Sequence, residues 1–435
     1  MATIRWKGDA AAVAQVTGWT FGGTWEATDV VILTIGSKSV SVVAGSTTLT
    51  TVVDNVVTAW NALSSTTYPE FAELTASRSG NDLRLTADTA GKPFTVTITT
   101  TETGGGAADS QTIGSATTVT ANSGPNDASI VTNWAGGALP VDGDTIVFDQ
   151  GSSDLLYGLD LNTITPAAII IDAGFTGKIG LPPVNADAGA TRTYYEYRDQ
   201  YLRIGNAADS QAITITCRGG GSRLKINTGD AQTTLLVQNT NNPAETSVPT
   251  LLFKGTHASN ALTVSRGSVG VAFYQGETAT LATVNVGYTT NPAGDSTVKL
   301  GAGVTLSNAV IAQSGGSLDL NSATSGTATI TQTDGVLNLL AGGHVGLTVR
   351  GGVCNYNSTG TLGGNPVVAG SGHITFAGDL RAKAVTNAIE VFGPQAKVSD
   401  PNKVVATLVL DLNETTNNAN ILIGQNIRLT RGAVA

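Results

Sequence analysis

Toward its C-terminal end the chain repeats one short pattern: glycine, any residue, apolar, small polar, apolar. It occurs at Gly316-Ser317-Leu318-Asp319-Leu320, Gly335-Val336-Leu337-Asn338-Leu339, Gly352-Val353-Cys354-Asn355-Tyr356 and Gly372-His373-Ile374-Thr375-Phe376, with glycine offsets of 19, 17 and 20 residues. Alternate residues of a strand face opposite sides, so the two apolar positions of each segment share one face. A turn glycine followed by a strand at a period near 20 residues is the pattern of a β-solenoid, whose coils bury their inward faces only by stacking. Ser296-Thr297-Val298-Lys299-Leu300 extends the series upstream, and Gly267-Ser268-Val269-Gly270-Val271 lies 29 residues before that, which calls for a longer loop between them. Ala388 to Val391, Thr407 to Leu410 and Asn426 to Leu429 read as strands of the last coils. The expected fold is mainly β: a right-handed parallel β-helix of about 14 coils, on the order of 65 Å long.

The first third is patterned differently. Residues 29–35 and 38–44 alternate as two strands around Gly36-Ser37, a hairpin signal. From Thr48 to Leu63 the apolar positions Leu49, Val52, Val53, Val56, Val57, Trp60 and Leu63 fall on one helical face, with Thr47 or Thr48 as N-cap. Strands near 71–77, 82–87 and 93–100 follow, separated by Gly80-Asn81-Asp82 and Gly91-Lys92-Pro93. The result is a small α+β unit of order ββαβββ. Thr103 to Ala108 reads as a flexible loop. All five tryptophans (Trp6, Trp19, Trp25, Trp60, Trp134) lie in this third. We therefore expect a head or docking domain over residues 1–122 and a β-helix rod over 123–435.

Composition narrows the function. Charged residues are 13 % of the chain, net charge is −9, and glycine numbers 53 of 435 residues, which suits a turn-rich β protein with a neutral polar surface. No basic cluster tracks a phosphate backbone, so nucleic acid is not an expected partner. No apolar run spans a bilayer, and the N-terminus lacks the apolar segment of a signal peptide. Cys217 and Cys354 are expected as buried hydrophobes. His257, His344 and His373 have no metal-ligand spacing, no P-loop or nucleophile elbow occurs, and neither metal nor cofactor is expected.

The local anomaly is Tyr194-Tyr195-Glu196-Tyr197-Arg198-Asp199-Gln200-Tyr201-Leu202-Arg203, which holds four of the nine tyrosines. Strand alternation would put Tyr195, Tyr197, Asp199 and Tyr201 on one face and Tyr194, Glu196 and Arg198 on the other. Tyrosine and arginine are recognition residues, so this segment, with Arg203, is the candidate binding or subunit interface. A glycan shelf and a plain lateral strand with a few exposed aromatics are the alternatives. Among carboxylates, Asp142 and Asp144 read as a turn opening the first coil. Glu196 and Asp199 face opposite ways, and Asp160 stands alone. No constellation is strongly catalytic. Asn338 and Asn355, with Asp319 and Thr375 at equivalent positions, could stack as a hydrogen-bonded ladder.

Two stretches carry a resemblance. The order of strand, GSKSVSV, amphipathic helix and ELTASRSGNDLRLTADTAGKPFTVTI over roughly residues 29–100 resembles a small module of tailed-phage and prophage particle proteins. Asn133-Trp134, Gly137, Pro140, Asp144, Val147 and Phe148 are similar to the opening of many surface β-helix proteins, in which Trp134 would cap the open end of the core. The resemblance implies a non-enzymatic structural protein of a virion, a capsid decoration or a tail spike or fibre, assembled in the host cytoplasm and displayed on the particle. It also implies a homotrimer, with capsid or tail proteins and a host-surface glycan as further partners. A polysaccharide-degrading spike and a cellular surface adhesin are the alternatives.

Overall fold

The computed structural model describes residues 2–104, 110–186, 193–206, 211–287, 296–413, 421–422 and 427–431. The protein is mainly β, and its largest element is one 24-stranded, parallel-paired sheet. Within this sheet two files of strands alternate along the chain. One runs from Thr3–Arg5 through Thr145–Phe148, Ala168–Ile171, Ile213–Arg218 and Thr233–Asn239 onward to Ile427–Arg431. The other begins at Asp160–Leu161 and passes through Leu202–Ile204, Leu224–Asn227 and Leu251–Lys254 to Ile421–Leu422. The files share one apolar cluster that extends from Trp6 to Leu412.

The repeat pattern predicts this register. Gly267 pairs with Ser296, Val298 with Leu318, Leu318 with Leu337, Leu337 with Cys354, and Cys354 with Ile374. Both apolar positions of each repeat are fully buried. Cys217 and Cys354 are free and buried. The loop expected after Gly267–Val271 contains strands Ala279–Thr280 and Thr283–Val286, while its residues 288–295 lie outside the described residues. Val310–Leu320 and Thr329–Leu339 each contribute to both files and bend at glycine. At Gly335 φ is +86° and an added Cβ would stand 2.4 Å from the Gly316 carbonyl oxygen, so only glycine turns this corner without a clash. Two buried glutamines line the corner from inside. Gln313 Nε2 donates to Val336 O at 2.9 Å, and Gln332 Nε2 donates to Gly335 O at 2.9 Å.

On the outer surface, Asn338 Nδ2 donates to Asp319 Oδ1 at 2.7 Å, and Asn355 Nδ2 donates to Asn338 Oδ1 at 2.8 Å. The expected polar ladder therefore exists, on strand positions rather than at turns. Its spacing is dictated by the backbone register of neighbouring strands.

The head differs from the expected ββαβββ unit. The helix spans Leu49–Asn61, buries Val52, Val53, Val56 and Trp60, and starts at Thr48 without a side-chain cap. The Gly36-Ser37 hairpin closes with Ile35 opposite Lys38, and Leu74–Ser79 pairs with Asp82–Ala87. There are, however, two sheets. Thr97–Thr101 pairs with Val30–Ile35, and Asp82–Ala87 pairs with Val16–Gly22, a strand the pattern does not predict. Val16–Gly22 contains two glycines, and three consecutive positions in it are buried, so it lacks the alternation of a half-buried strand.

The large sheet also takes in the start of the chain. Thr3–Arg5 pairs in parallel with Thr145–Val147, and Trp6 belongs to the apolar cluster of the large sheet while Trp19 to Ile98 form their own. The head is thus an excursion between the first two strands of one file. Residues 105–109 of the expected loop lie outside the described residues.

Asn338→Ala removes one acceptor and one donor from the middle of the amide ladder. It should lower stability by about 1–2 kcal/mol in denaturant unfolding, and Asn338→Ala combined with Asn355→Ala should cost less than the sum of the two. Additive costs would show that the ladder is not coupled.

Candidate functional site

The tyrosine-rich segment begins in a short antiparallel hairpin, Val184–Ala186 with Thr193–Tyr195, whose residues 187–192 lie outside the described residues. Tyr195 is 86 % exposed and Tyr194 and Glu196 are buried, as the alternation predicts; regular strand geometry ends at Tyr195, and farther on Tyr197 is half-buried while Tyr201, predicted on the Tyr195 face, is buried. Glu196, Arg198 and Tyr194 turn inward into a seam between the head and the large sheet. Of the eight candidate side chains, Tyr194, Glu196 and Tyr201 are buried within this same chain, Tyr197, Arg198 and Arg203 are partly covered, and Tyr195 and Asp199 are exposed.

Arg198 is the hub of the seam. Its Nε donates to Glu196 Oε1 at 2.7 Å, its Nη2 to Tyr194 Oη at 2.6 Å, and its Nη1 to the Pro93 carbonyl at 3.1 Å. Tyr194 Oη in turn donates to Glu73 Oε1 at 2.5 Å, and Lys92 pairs with the same carboxylate. Asn185 Nδ2 donates to Glu196 Oε2 at 3.0 Å. The guanidinium also lies 4.7 Å from the Tyr197 ring centroid and 5.7 Å from that of Tyr157. Tyr197 packs on the head's apolar cluster, and its Cβ would be 2.9 Å from a Cβ added at Gly36. Gly36 therefore serves both the hairpin (φ +56°) and this close approach.

The electrostatics follow from burial. Burial opposes the charge on Arg198, but Tyr197 and Glu196 beside it outweigh that, and its pKa is raised. Burial pushes the Tyr194 and Tyr197 hydroxyls up and the Tyr157 hydroxyl up to about 12. The phenols thus stay neutral in physiological conditions, and through the Tyr194 donor the seam is a charge-assisted hydrogen-bond network.

Next to the seam a groove of about 330 Å³ opens between head and sheet, lined by Phe94, Tyr157, Asp160, Tyr197, Arg198 and Asp199 among others. Arg203 stands between its two aspartates, with Nη1 3.2 Å from Asp160 Oδ2 and 3.9 Å from Asp199 Oδ2. Asp160 and Arg203 are direct register partners on adjacent strands, a pairing that sequence separation hides. Glu196 and Asp199 part as expected, one into the seam and one into the groove. The guanidinium thus lies beside both groove carboxylates.

Farther along, Tyr201 is buried between two lysines, with its ring centroid 5.2 Å from Lys225 Nζ and 4.8 Å from Lys254 Nζ. Lys225 is fully buried, also lies 5.0 Å from the Tyr274 ring, and donates to Gln200 Oε1 at 3.3 Å. Burial pushes its pKa down to about 8.

Trp134 sits where the core begins. Its ring meets Trp6 edge-on at 5.1 Å and Phe148 at 6.4 Å, and its Nε1 donates to Ala128 O at 2.8 Å. Strand Thr3–Arg5 and Trp6 share this end with Trp134. Of the other motif residues two satisfy backbone donors: Asn133 Oδ1 accepts from Ala10 N and Asp144 Oδ1 from Ala2 N, both at 2.7 Å, and the neighbouring Asp142 Oδ1 accepts from Thr165 N at 2.7 Å. Among the described residues no group of three or more His, Cys, Asp or Glu could hold a metal ion, and no helix is long and apolar enough to cross a membrane. Comparison with protein-family models, curated proteins and solved structures finds no match to this chain.

Arg198→Ala leaves the Glu73 and Glu196 carboxylates buried without their shared cation. We expect a loss of about 3–5 kcal/mol and faster proteolysis between head and sheet. Tyr195→Ala, at a side chain that is 86 % exposed, should change neither. Equal effects from the two variants would contradict the seam.

Lys225 supplies a pH test. An unfolded lysine keeps its proton to about pH 10.4, whereas the folded one releases it near pH 8. The unfolded state thus binds more protons across that window, and this group makes stability rise with pH. Above about pH 10 the buried tyrosines act in the opposite sense. Lys225→Met should therefore raise the unfolding midpoint at pH 7, with the gain shrinking between pH 8 and 10. A pH-independent gain would contradict the buried-cation cost.

Proposed function

We propose that the chain is a non-enzymatic structural protein of a phage or phage-like particle, built as a right-handed parallel β-helix rod with a small domain fixed near its first coils. The observation that carries this reading is the unbroken parallel register of two alternating files around a shared apolar cluster. A chain that alternates between two parallel files must cross over repeatedly in one sense, and such crossovers are right-handed in the great majority of cases. The rod grows along its axis by adding coils, a design suited to reach and display. A buried charged seam that binds the head to the sheet supports a docking domain held in a fixed orientation.

The phage assignment draws on the module-like order of residues 29–100 and on the β-helix opening around Asn133-Trp134. In this reading the protein is a homotrimer on the outside of a virion, as a capsid decoration or a tail spike, with capsid or tail proteins as partners.

The groove beside the seam favours a second reading, a spike that degrades a surface polysaccharide. Its aspartates are flanked by Tyr157, Tyr197 and Phe94, and aromatic rings flanking carboxylates suit a sugar polymer. The ion pairs of Asp160 and Asp199 with Arg203 count against it.

Both readings are tested together. Immunogold labelling of particles from a lysate of producing cells should place the protein on the particle exterior, and the purified protein should release no reducing ends from host surface polysaccharide. Recovery only as free protein would contradict the structural role. Polymer cleavage that is abolished in Asp160→Asn or Asp199→Asn would establish the enzyme instead.

A further inference from the structure

The outer surface of the first file has a property that neither the seam nor the groove accounts for. Its outward positions form two parallel rows. One row runs from Val147 to Val367 through Thr216, Leu236, Thr263 and Thr331 in continuous register. Along it no charged side chain occurs between Arg5, opposite Val147, and Glu390, opposite Val367. The second row includes Thr214, Thr234, Thr283 and Thr329 and is likewise uncharged. The residues named in these rows between Thr214 and Val367 are partly exposed, and Val310, in the second row, reaches 53 % exposure. The other file carries Arg203, Lys254, Lys299 and Asp319 on its outer side. On the first file, Arg218 at the margin of these rows is charged and pairs with Asp172, but the two rows themselves carry no charge between Arg5 and Glu390.

We propose that this threonine- and aliphatic-rich face is the surface by which copies of this chain associate side by side, an inference that rests on the rod reading above. Absence of charge marks the core of protein interfaces. The occupant follows from size and period. Nine steps between strands at about 4.8 Å, across a width of about 15 Å, give about 650 Å² per copy, near the lower end of what a specific, stable association buries. Rows of small side chains repeating at the strand spacing are matched by a surface of the same period, and a second copy of this rod presents one. An uncharged flat face gives a charged partner nothing to pair with.

The test is the mass in solution of the full chain by light scattering, with small-angle scattering on the same samples. Wild type should have a multiple of the single-chain mass. The triple variant Thr216→Lys, Thr263→Lys, Thr331→Lys should fall to the single-chain mass with an unchanged far-ultraviolet circular dichroism spectrum. Val336→Lys with Val353→Lys, on the outer side of the other file, should leave the mass unchanged. If the triple variant fails to fold, Thr263→Lys alone is read, with an expected rise of at least tenfold in the dissociation constant. A wild type that stays at single-chain mass, or a folded charged variant that keeps the wild-type mass, overturns the proposal. An elongated single chain would do so while leaving the rod reading intact, whereas a compact scattering profile would remove the rod reading itself.

Discussion

A strand in a parallel sheet leaves backbone donors and acceptors open on both edges, and burial demands that they be met. Most of this molecule follows from that demand. Each strand finds its partners not in the next strand of the large sheet along the chain but in one farther on, so the chain alternates between two files. The corners must then turn within one or two residues, which explains glycine at 316, 335 and 352, and the inward glutamines that satisfy the corner carbonyls. Without a partner on its second edge, Thr145–Phe148 would leave open backbone groups. Thr3–Arg5 supplies the missing neighbour to Thr145–Val147, and Trp6 closes over Trp134. The head is the length of chain that had to go elsewhere between those two strands.

The seam is the second constraint. Burying two carboxylates, a guanidinium and phenols is costly unless every charge is met. Here Arg198 faces Glu196, Glu73 and the π-faces of two tyrosines, and Lys92 adds a second cation to Glu73. Such a network contributes less to net stability than an apolar contact of the same size, but it permits few other arrangements. It orients the head, and its neighbouring groove is a consequence of that orientation.

Local patterns were legible and distant charges were not. Leu318, Leu337, Cys354 and Ile374 announce their shared inner face through a period of two, and Asp319, Asn338 and Asn355 announce the ladder by recurring at one place in the repeat. The hairpins at Gly36 and Gly80 and the face of the Leu49–Asn61 helix were equally visible. Thr3-Ile4-Arg5 is too short to carry a pattern, and Val16–Gly22 breaks alternation. The segment from Tyr194 to Arg203 was recognised as exceptional, yet its orientation depended on Glu73, Lys92 and Pro93, about a hundred residues away in the chain. No local signal joins those residues to Arg198. Asp160, which looked solitary, meets Arg203 only because the parallel pairing of Asp160–Leu161 with Leu202–Ile204 brings them opposite each other.

The two files form one continuous cooperative ladder, and the head is an excursion from it with a core of its own. Hydrogen–deuterium exchange at residue resolution tests it most directly. The account predicts slow exchange at the inward rungs, including Ile215, Leu235, Val284, Leu318, Leu337 and Val391, with protection falling only toward the ends of the files. Fast exchange at rungs in the middle of the files, or protection confined to residues 16–101 of the head, would contradict it.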